Sequence, residues 1–224
     1  PLLVHNVALK PVIYGTLAGR VVGVTSIVNA LAGLGFLYSS LSSKARILRF
    51  LIELVFRALF KSPGGRVILQ NPDDVKLLCD SRIVQSSQIG LIRGSGVNLL
   101  HFSPTEEPSL PPVVMLASRM LWDKGVGEFV AAARLLREQA VQARFVLVGD
   151  GDPENPSSIS DTQLEAWHNE QVVEWWGRRD NMGQVMAAAH IVCLPSYREG
   201  LPKVLLEAAA CARPIVTTDV PGCR

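Results

Sequence analysis

Two glutamates eight positions apart bracket a proline in the run Tyr197-Arg198-Glu199-Gly200-Leu201-Pro202-Lys203-Val204-Leu205-Leu206-Glu207. An apolar stretch, Ile191 to Leu194, enters a glycine-containing turn, and Pro202 stands where a helix begins, a favoured place for proline. The amides of Lys203 and Val204 then lack helical partners. With the positive end of the helix dipole they suit a phosphate. Glu199 precedes the helix and Glu207 falls on its second turn, so both carboxylates can project on one side. A carboxylate accepts hydrogen bonds from the vicinal hydroxyls of a ribose or hexose. A proline-started helix carrying two solvated acids has the same sequence, and on spacing alone the two readings weigh equally.

A second group shifts that balance. Ser118-Arg119-Met120-Leu121-Trp122-Asp123-Lys124-Gly125 follows the uncharged run Val113 to Ala117 and sets an arginine and a lysine five residues apart. A diphosphate needs cations, and as a leaving group it needs them more in the transition state than before it. Two solvated bases beside a helix start are the plain alternative, but the dipole disfavours them there.

The elements that must carry these loops are legible from Val113 onward. β-like runs at Val113–Ala117, Arg144–Val148, Val172–Trp176, Ile191–Leu194 and Pro214–Thr217 alternate with helical patterns at Lys124–Ala140, Met182–His190 and Lys203–Ala210. A further helix follows Ser160 or Asp161, either of which can cap it. Apolar strands alternating with helices predict a parallel sheet covered on both faces, with ligands at the carboxyl ends of its strands. Upstream, strands are expected at Leu2–Val4, Val24–Val28, Arg66–Gln70 and Ile89–Ile92. Helices are expected at Pro11–Ala18, Lys44–Lys61 and Pro72–Cys79. The proline- and acid-rich residues 104–112 read as a linker. Residues 1–103 and 113–224 are then parts of two Rossmann-like domains, each with too few strands to be complete. The fold class is α/β.

Composition narrows the field. A chain of 224 residues with 48% hydrophobic and 19% charged residues can bury a core. A net charge of +2 is too small to argue for nucleic acid, but it is unevenly spread. Through Lys61 there are seven Lys or Arg against one acid, Glu53, and the remainder nets −4. Cys79, Cys193, Cys211 and Cys223 are scattered without metal-ligand spacing, as expected of reduced thiols. No signal peptide is read at the start. Val21 to Tyr38 is uncharged, yet Thr25, Ser26, Asn29, Gly23, Gly33 and Gly35 interrupt it, so a buried strand and a glycine-rich loop are expected rather than a membrane span.

Arg119, Lys124-Gly125, Val148-Gly149-Asp150-Gly151, the Glu199 and Glu207 pair, and Arg213-Pro214-Ile215-Val216 together resemble the donor domain of the GT-B-fold, family 4 retaining glycosyltransferases. Val4-His5-Asn6, Lys10 to Gly15, Asn29 to Gly35 and Gly94 to Val97 resemble its bacterial branch, which builds surface polysaccharides on undecaprenyl-diphosphate carriers. The resemblance implies that Arg119 and Lys124 hold the donor diphosphate, Glu207 the nucleotide ribose, and Glu199 the transferred sugar. Backbone from Gly200 through Leu201 and Pro202 to Lys203 contacts phosphates and sugar, and Arg178, after Gly177, passes the base. The leaving phosphate takes the acceptor's proton, so neither a protein base nor a metal or cofactor is expected. His5 and Lys10 fall on the acceptor side, although for His5 a loop histidine is the plain alternative. The donor is a nucleotide-diphospho-sugar, UDP-N-acetylhexosamine favoured, and the acceptor a lipid-linked saccharide. The family's glycine-rich first loop would precede Pro1.

The Lys44 to Lys61 helix carries Arg46, Arg49, Glu53, Arg57 and Lys61 on one stripe, with apolar residues around the rest. An interfacial helix on anionic lipid has that pattern, as does a core helix with one wet stripe. The expected place is the cytoplasm, peripheral on the inner face of the plasma membrane. A nicotinamide dehydrogenase is the rival enzyme. Its only candidate fingerprint, Gly149 to Glu154, lacks a third glycine, carries three acids and opens no helix. A membrane-binding module explains the basic helix but leaves Arg119, Lys124, Glu199 and Glu207 idle. A truncated, inactive nucleotide-sugar-binding relative stays open beside the enzyme.

Overall fold

The computed structural model describes residues 2–34, 38, 43–61 and 64–224, with backbone alone for 43–45. Gly35 and the Lys44 side chain lie outside what is described. The chain forms two compact units. One comprises Pro1–Ser95, Arg198–Pro202 and Val220–Arg224; the other comprises Gly96–Tyr197 and Lys203–Asp219. Among the described residues no helix is long and apolar enough to cross a membrane.

In the first unit β1 (Leu3–Val7), β2 (Ser26–Leu31), β3 (Gly65–Leu69) and β4 (Ile89–Leu91) pair in that order, all parallel. β2 lies within the uncharged stretch after Arg20. Three helices accompany them: α1 (Leu9–Val21), α2 (Ser43–Leu59) and α3 (Pro72–Asp80). Val12, Phe56, Leu59 and Leu78 from these helices close on Leu31, Val67 and Leu69 of the sheet. Burying each such side chain contributes about 1.5–3 kcal/mol. α3 starts where it does because Asn71 caps it, Pro72 takes the first turn, and Asp73 and Asp74 complement the dipole.

α2 keeps part of the expected wet basic stripe: Arg46, and Lys61 just past its end, are exposed, whereas the groups between them find partners. Arg49 lies over the Tyr38 ring at 4.8 Å, Glu53 accepts from the Tyr38 hydroxyl at 3.2 Å, and Arg57 donates to the Ser81 carbonyl at 3.1 Å. These groups are turned toward their own unit. Burial, and then Glu53, hold the Tyr38 phenol above its ordinary pKa. Ile47, Leu48, Phe50, Leu51, Leu54 and Val55 are exposed as well.

In the second unit β5 (Val113–Ala117), β6 (Arg144–Val148), β7 (Glu174–Trp175), β8 (Ile191–Leu194) and β9 (Ile215–Thr217) form a parallel sheet ordered β7-β6-β5-β8-β9. Alternation along β5 sends Val113, Met115 and Ala117 to a core shared with Val185, Met186 and Ala208, and Leu116 to one shared with Phe129, Val130 and Leu164. Helices α6 (Met182–Ala187) and α7 (Lys203–Ala210) thus cover one face, and α4 (Val126–Glu138) and α5 (Asp161–Asn169) the other. Ser160 caps α5 through its hydroxyl. Chain order reverses across β5, so the crevice beyond β5 and β8 is a topological switch point.

Residues 104–112, expected as a linker, belong to the second unit. Buried Arg213 explains it: its guanidinium donates to Thr105 Oγ1 at 2.6 Å and to the Glu106 carbonyl at 3.1 Å, while also reaching Ala187 O. His190 adds two contacts, accepting from Val113 N and lying 3.0 Å from Pro108 O. The first unit ends at Ser95 rather than 103, and residues 198–202 and 220–224 join it.

Candidate functional site

Four loops leave the carboxyl ends of β5, β6, β7 and β8, and hydrogen bonds stitch them together. After β5, Met120 N donates to Asp150 O (2.9 Å) and Trp122 N to Ser157 O (2.8 Å), which ties this loop to the one after β6. Gly149 allows the approach: its φ is +129°, and a Cβ there would sit 1.9 Å from Ser118 O. Asp150 Oδ1 accepts from Arg178 N at 2.9 Å, joining the loop after β7. Ser196 Oγ and Tyr197 N both reach Asp123 O, at 3.2 and 3.0 Å, joining the loop after β8. The helix expected from Lys124 begins at Val126 instead. Gly125, at φ +74°, closes a 3-10 turn there, and a Cβ on it would strike Pro195 O at 2.1 Å.

On this frame the predicted bases sit as partly or largely exposed side chains with acidic neighbours. Arg119 contacts Asp152 at 2.7 Å with its side chain 60% exposed. Arg178 lies 3.6 Å from Asp180. Lys124 closes the 3-10 turn and is half-buried. Exposed pairs of this kind are worth only about 0–1 kcal/mol, so an incoming diphosphate can displace the acids cheaply.

Lys203 and Glu207 come together directly. Their charged atoms are 3.1 Å apart across one turn of α7, with the lysine 60% and the glutamate 9% exposed at the side chain. Both line a cleft of about 560 Å³ with Asn98, His101, Asp180 and Gln184. A buried carboxylate beside a wet lysine, in a cleft rich in amides, suits a polyhydroxylated ligand. His101 lines this cleft as well. His168 accepts from Trp175 N, and His190 has the structural role given with the fold.

Glu199, Gly200, Leu201 and Pro202 belong to the first unit, where Asn71 and Asp74 reach their turn. Pro202 directly precedes the first helical residue, Lys203. His5 is the middle residue of β1, exposed, and Lys10 is exposed in the first turn of α1. Asn98, Asp180 and Gln184 were not foreseen from sequence, since isolated polar residues in a loop or on a short helix carry no spacing signal. Asn71 did carry one: Asn-Pro-Asp-Asp is a helix-start signature whose cap also has a donor to spare.

Residues 111–224 match the family described as Glycosyl transferases group 1. The chain is 32% identical to N,N'-diacetylbacillosaminyl-diphospho-undecaprenol alpha-1,3-N-acetylgalactosaminyltransferase of Campylobacter jejuni, across 98% of its own length and 59% of that protein's. It is 25% identical to UDP-Gal:alpha-D-GlcNAc-diphosphoundecaprenol alpha-1,3-galactosyltransferase of Escherichia coli, across 98% and 58% respectively. It superposes on sucrose-phosphate synthase of Thermosynechococcus elongatus with a TM-score of 0.81 at 25% identity, 99% of this chain matching 57% of that one. The chain thus spans less than two thirds of the length of each.

Proposed function

The chain belongs to the group 1 glycosyl transferases, with the two parallel-sheet units of the GT-B fold, and from that premise we propose that it serves as a retaining hexosyltransferase. The donor is a nucleotide-diphospho-sugar, UDP favoured, carrying a hexose or N-acetylhexosamine. The acceptor is a saccharide on a polyprenyl diphosphate, in surface polysaccharide synthesis. Both relatives named above act on diphospho-undecaprenol saccharides, and the second takes UDP-Gal, which supports these choices. The observation that carries the reading is Glu207. It is a carboxylate 7% exposed, set with Lys203 in the cleft beside the loop after β7.

Glu207 accepts hydrogen bonds from the ribose hydroxyls in this reading, and Arg178 passes the base. Arg119 and Lys124 neutralise the diphosphate, with Lys203 and the backbone from Gly200 to Pro202 completing its contacts. Glu199 addresses the transferred sugar near its anomeric carbon, and His5 and Lys10 face the acceptor. In the transfer, the bond from the anomeric carbon to the diphosphate oxygen breaks while the acceptor hydroxyl oxygen bonds to that carbon. The hydroxyl proton passes to the leaving phosphate oxygen on the same face. Charge grows on that oxygen in the transition state, where Arg119 and Lys124 act most strongly. Side chains supply all the compensation, so we assign no cofactor or metal.

An anionic membrane surface is the further proposed partner, through α2. Six large apolar side chains there are exposed. At the end of the helix, Arg57, Lys61, Arg66 and Arg82 line a cavity of about 840 Å³, with no acid among its described lining residues. Apolar contact plus anionic headgroups is the usual logic of interfacial helices, and a lipid-linked acceptor gives it a purpose on the cytoplasmic leaflet.

The test is calorimetric titration of the full-length protein with UDP, GDP, ADP and NAD, then incubation with UDP-hexoses and a polyprenyl-diphosphate saccharide. Saturable binding of one nucleoside diphosphate, lost in Glu207→Ala, and an α-linked product from an α-linked donor are expected. Preferential NAD binding, or an inverted product, overturns the reading.

A further inference from the structure

A turn whose backbone must face a ligand has to be held from the side away from that ligand. Arg198–Pro202 is held in this way within the first unit. Asn71 Nδ2 donates to Gly200 O at 2.8 Å and lies 3.5 Å from Glu199 O. Glu199 N donates to Pro221 O at 3.0 Å. The backbone closes in as well: a Cβ on Gly200 would fall 1.8 Å from Ala32 O, and one on Gly222 would fall 2.4 Å from Glu199 O.

Asn71 does more than a helix cap requires. Its Oδ1 accepts from Asp74 N at 2.8 Å, which is the cap, and serine, threonine or aspartate could do the same. The amide nitrogen is the part the cap leaves unexplained. It donates to Asp74 Oδ2 at 3.0 Å and to Gly200 O, and the residue is 3% exposed. Asp74, 1% exposed, is also paired with Arg198, whose guanidinium sits 5.6 Å over the Tyr38 ring. The Arg198 Nε has no partner among the described residues. Ion pairs this buried add little net stability, because desolvation offsets the attraction; what they can fix is geometry.

The Gly200–Leu201 peptide is trans. In a trans peptide the C=O and the next N–H point in opposite directions. Holding the Gly200 carbonyl toward Asn71 therefore aims the Leu201 N–H the other way. We propose that Asn71, backed by the Asp74–Arg198 pair, is a positioning residue for transfer. It fixes the Glu199–Gly200–Leu201 turn so that its outward amide and the Glu199 side chain meet the donor sugar. The inference rests on the hexosyltransferase reading and adds residues of the first unit to it. Glu207 and Lys203, assigned to the nucleotide, pair with each other, and Arg119 pairs with Asp152.

The experiment uses the full-length protein, with wild type, Asn71→Ser, Asn71→Ala and Asp74→Asn compared side by side. Serine keeps the cap and removes the donor to Gly200 O, so its thermal midpoint should stay near wild type. Its affinity for UDP, or for whichever diphosphate wild type binds, should stay near wild type too. Its kcat should fall on the order of 10- to 100-fold, as misplacement near a reacting centre does, with the donor KM little changed. Asp74→Asn should fall in the same direction. A kcat for Asn71→Ser equal to wild type overturns the proposal. So does a loss of kcat that merely follows a drop in thermal midpoint or in UDP affinity. If wild type itself binds no diphosphate and transfers no sugar, the underlying reading fails instead, and the two failures are told apart by that control.

Discussion

Replacing Glu207 with glutamine should separate stability from binding. The carboxylate is 7% exposed, and the ion pair it makes is to a lysine whose side chain is 60% exposed, 3.1 Å away. Such a pair contributes at most about 1 kcal/mol, while taking the carboxylate out of water costs several times that before compensation. Glutamine fills the same volume, so no cavity opens. Folding stability should therefore stay within about 1 kcal/mol of wild type or rise. Binding is different. A ribose offers two hydroxyls, each bond to a charged acceptor being worth about 1.5–3 kcal/mol, and the amide retains one acceptor oxygen. Losing one such bond weakens UDP affinity roughly 10- to 150-fold. Calorimetric titration at fixed salt gives the affinity, and urea unfolding gives the stability. A variant that loses over about 2 kcal/mol of stability yet binds UDP as wild type does would show that Glu207 is a structural acid.

Ala212 has φ +55° just beyond the end of α7. Ala212→Gly should relieve that strain and raise stability by about 0.5–1 kcal/mol in urea unfolding. The Glu174 carboxyl is held below the ordinary carboxylate range, first by its bond from Arg144. That stabilisation is present above the unfolded pKa and lost as pH falls through the lower folded value. Glu174→Gln should accordingly cost less than about 1 kcal/mol near pH 7 and nothing at strongly acid pH. Replacing Leu48, Leu51 and Leu54 on α2 with glutamine should reduce co-sedimentation with anionic vesicles more than replacing Arg46, Arg49 and Arg57 does; equal binding by all variants refutes the lipid contact. Asp152→Asn should free Arg119 and tighten UDP binding a few-fold at most, given the worth of exposed pairs; weaker binding means that Asp152 orients the arginine.

β5, β6 and β8 were legible because each is a short, largely apolar run with most of its residues buried or half-buried, and the order of types set the parallel topology; β7 is only Glu174–Trp175, and β9 leaves Ile215 and Val216 exposed. The start of α4 was missed by two residues, since a glycine at +74° looks like any other glycine until Pro195 O is known to lie behind it. The basic stripe of α2 was legible only in part, for a different reason: Arg46 and Lys61 are exposed, but Arg49 and Arg57 are taken up within the unit. Helical periodicity gives the angle between stripes but not which stripe meets solvent, and Tyr38 and Ser81, which take up Arg49 and Arg57, are remote in sequence. Proline and acid content marked 104–112 as a linker, yet one buried arginine, Arg213, fastens that stretch to the second unit. The loop residues assigned to the diphosphate, Arg119 and Lys124, were chosen by type and spacing. Asn71 was not singled out, because Gly200, whose carbonyl its amide reaches, lies far along the chain.

The four loops of the second unit divide their labour by atom type. Backbone groups and short side chains (Asp123 O, Asp150, Ser157, Ser196) make the bonds that join one loop to the next, and Gly125 and Gly149 let them approach. The charges assigned to the donor ride on this frame as long side chains, mostly exposed and each within reach of an acid or a turn. A stiff frame limits reorganisation as the diphosphate develops charge, which is what electrostatic catalysis requires. Soft, weakly paired cations let the same charge be captured without first breaking a strong native interaction. Buried ion pairs at these positions would stabilise neither the fold nor the transition state, since an arginine committed to a desolvated aspartate has little left to give a phosphate. In the proposed reading, the exposure of Arg119 is thus part of what suits it to a leaving group that arrives and departs in every turnover.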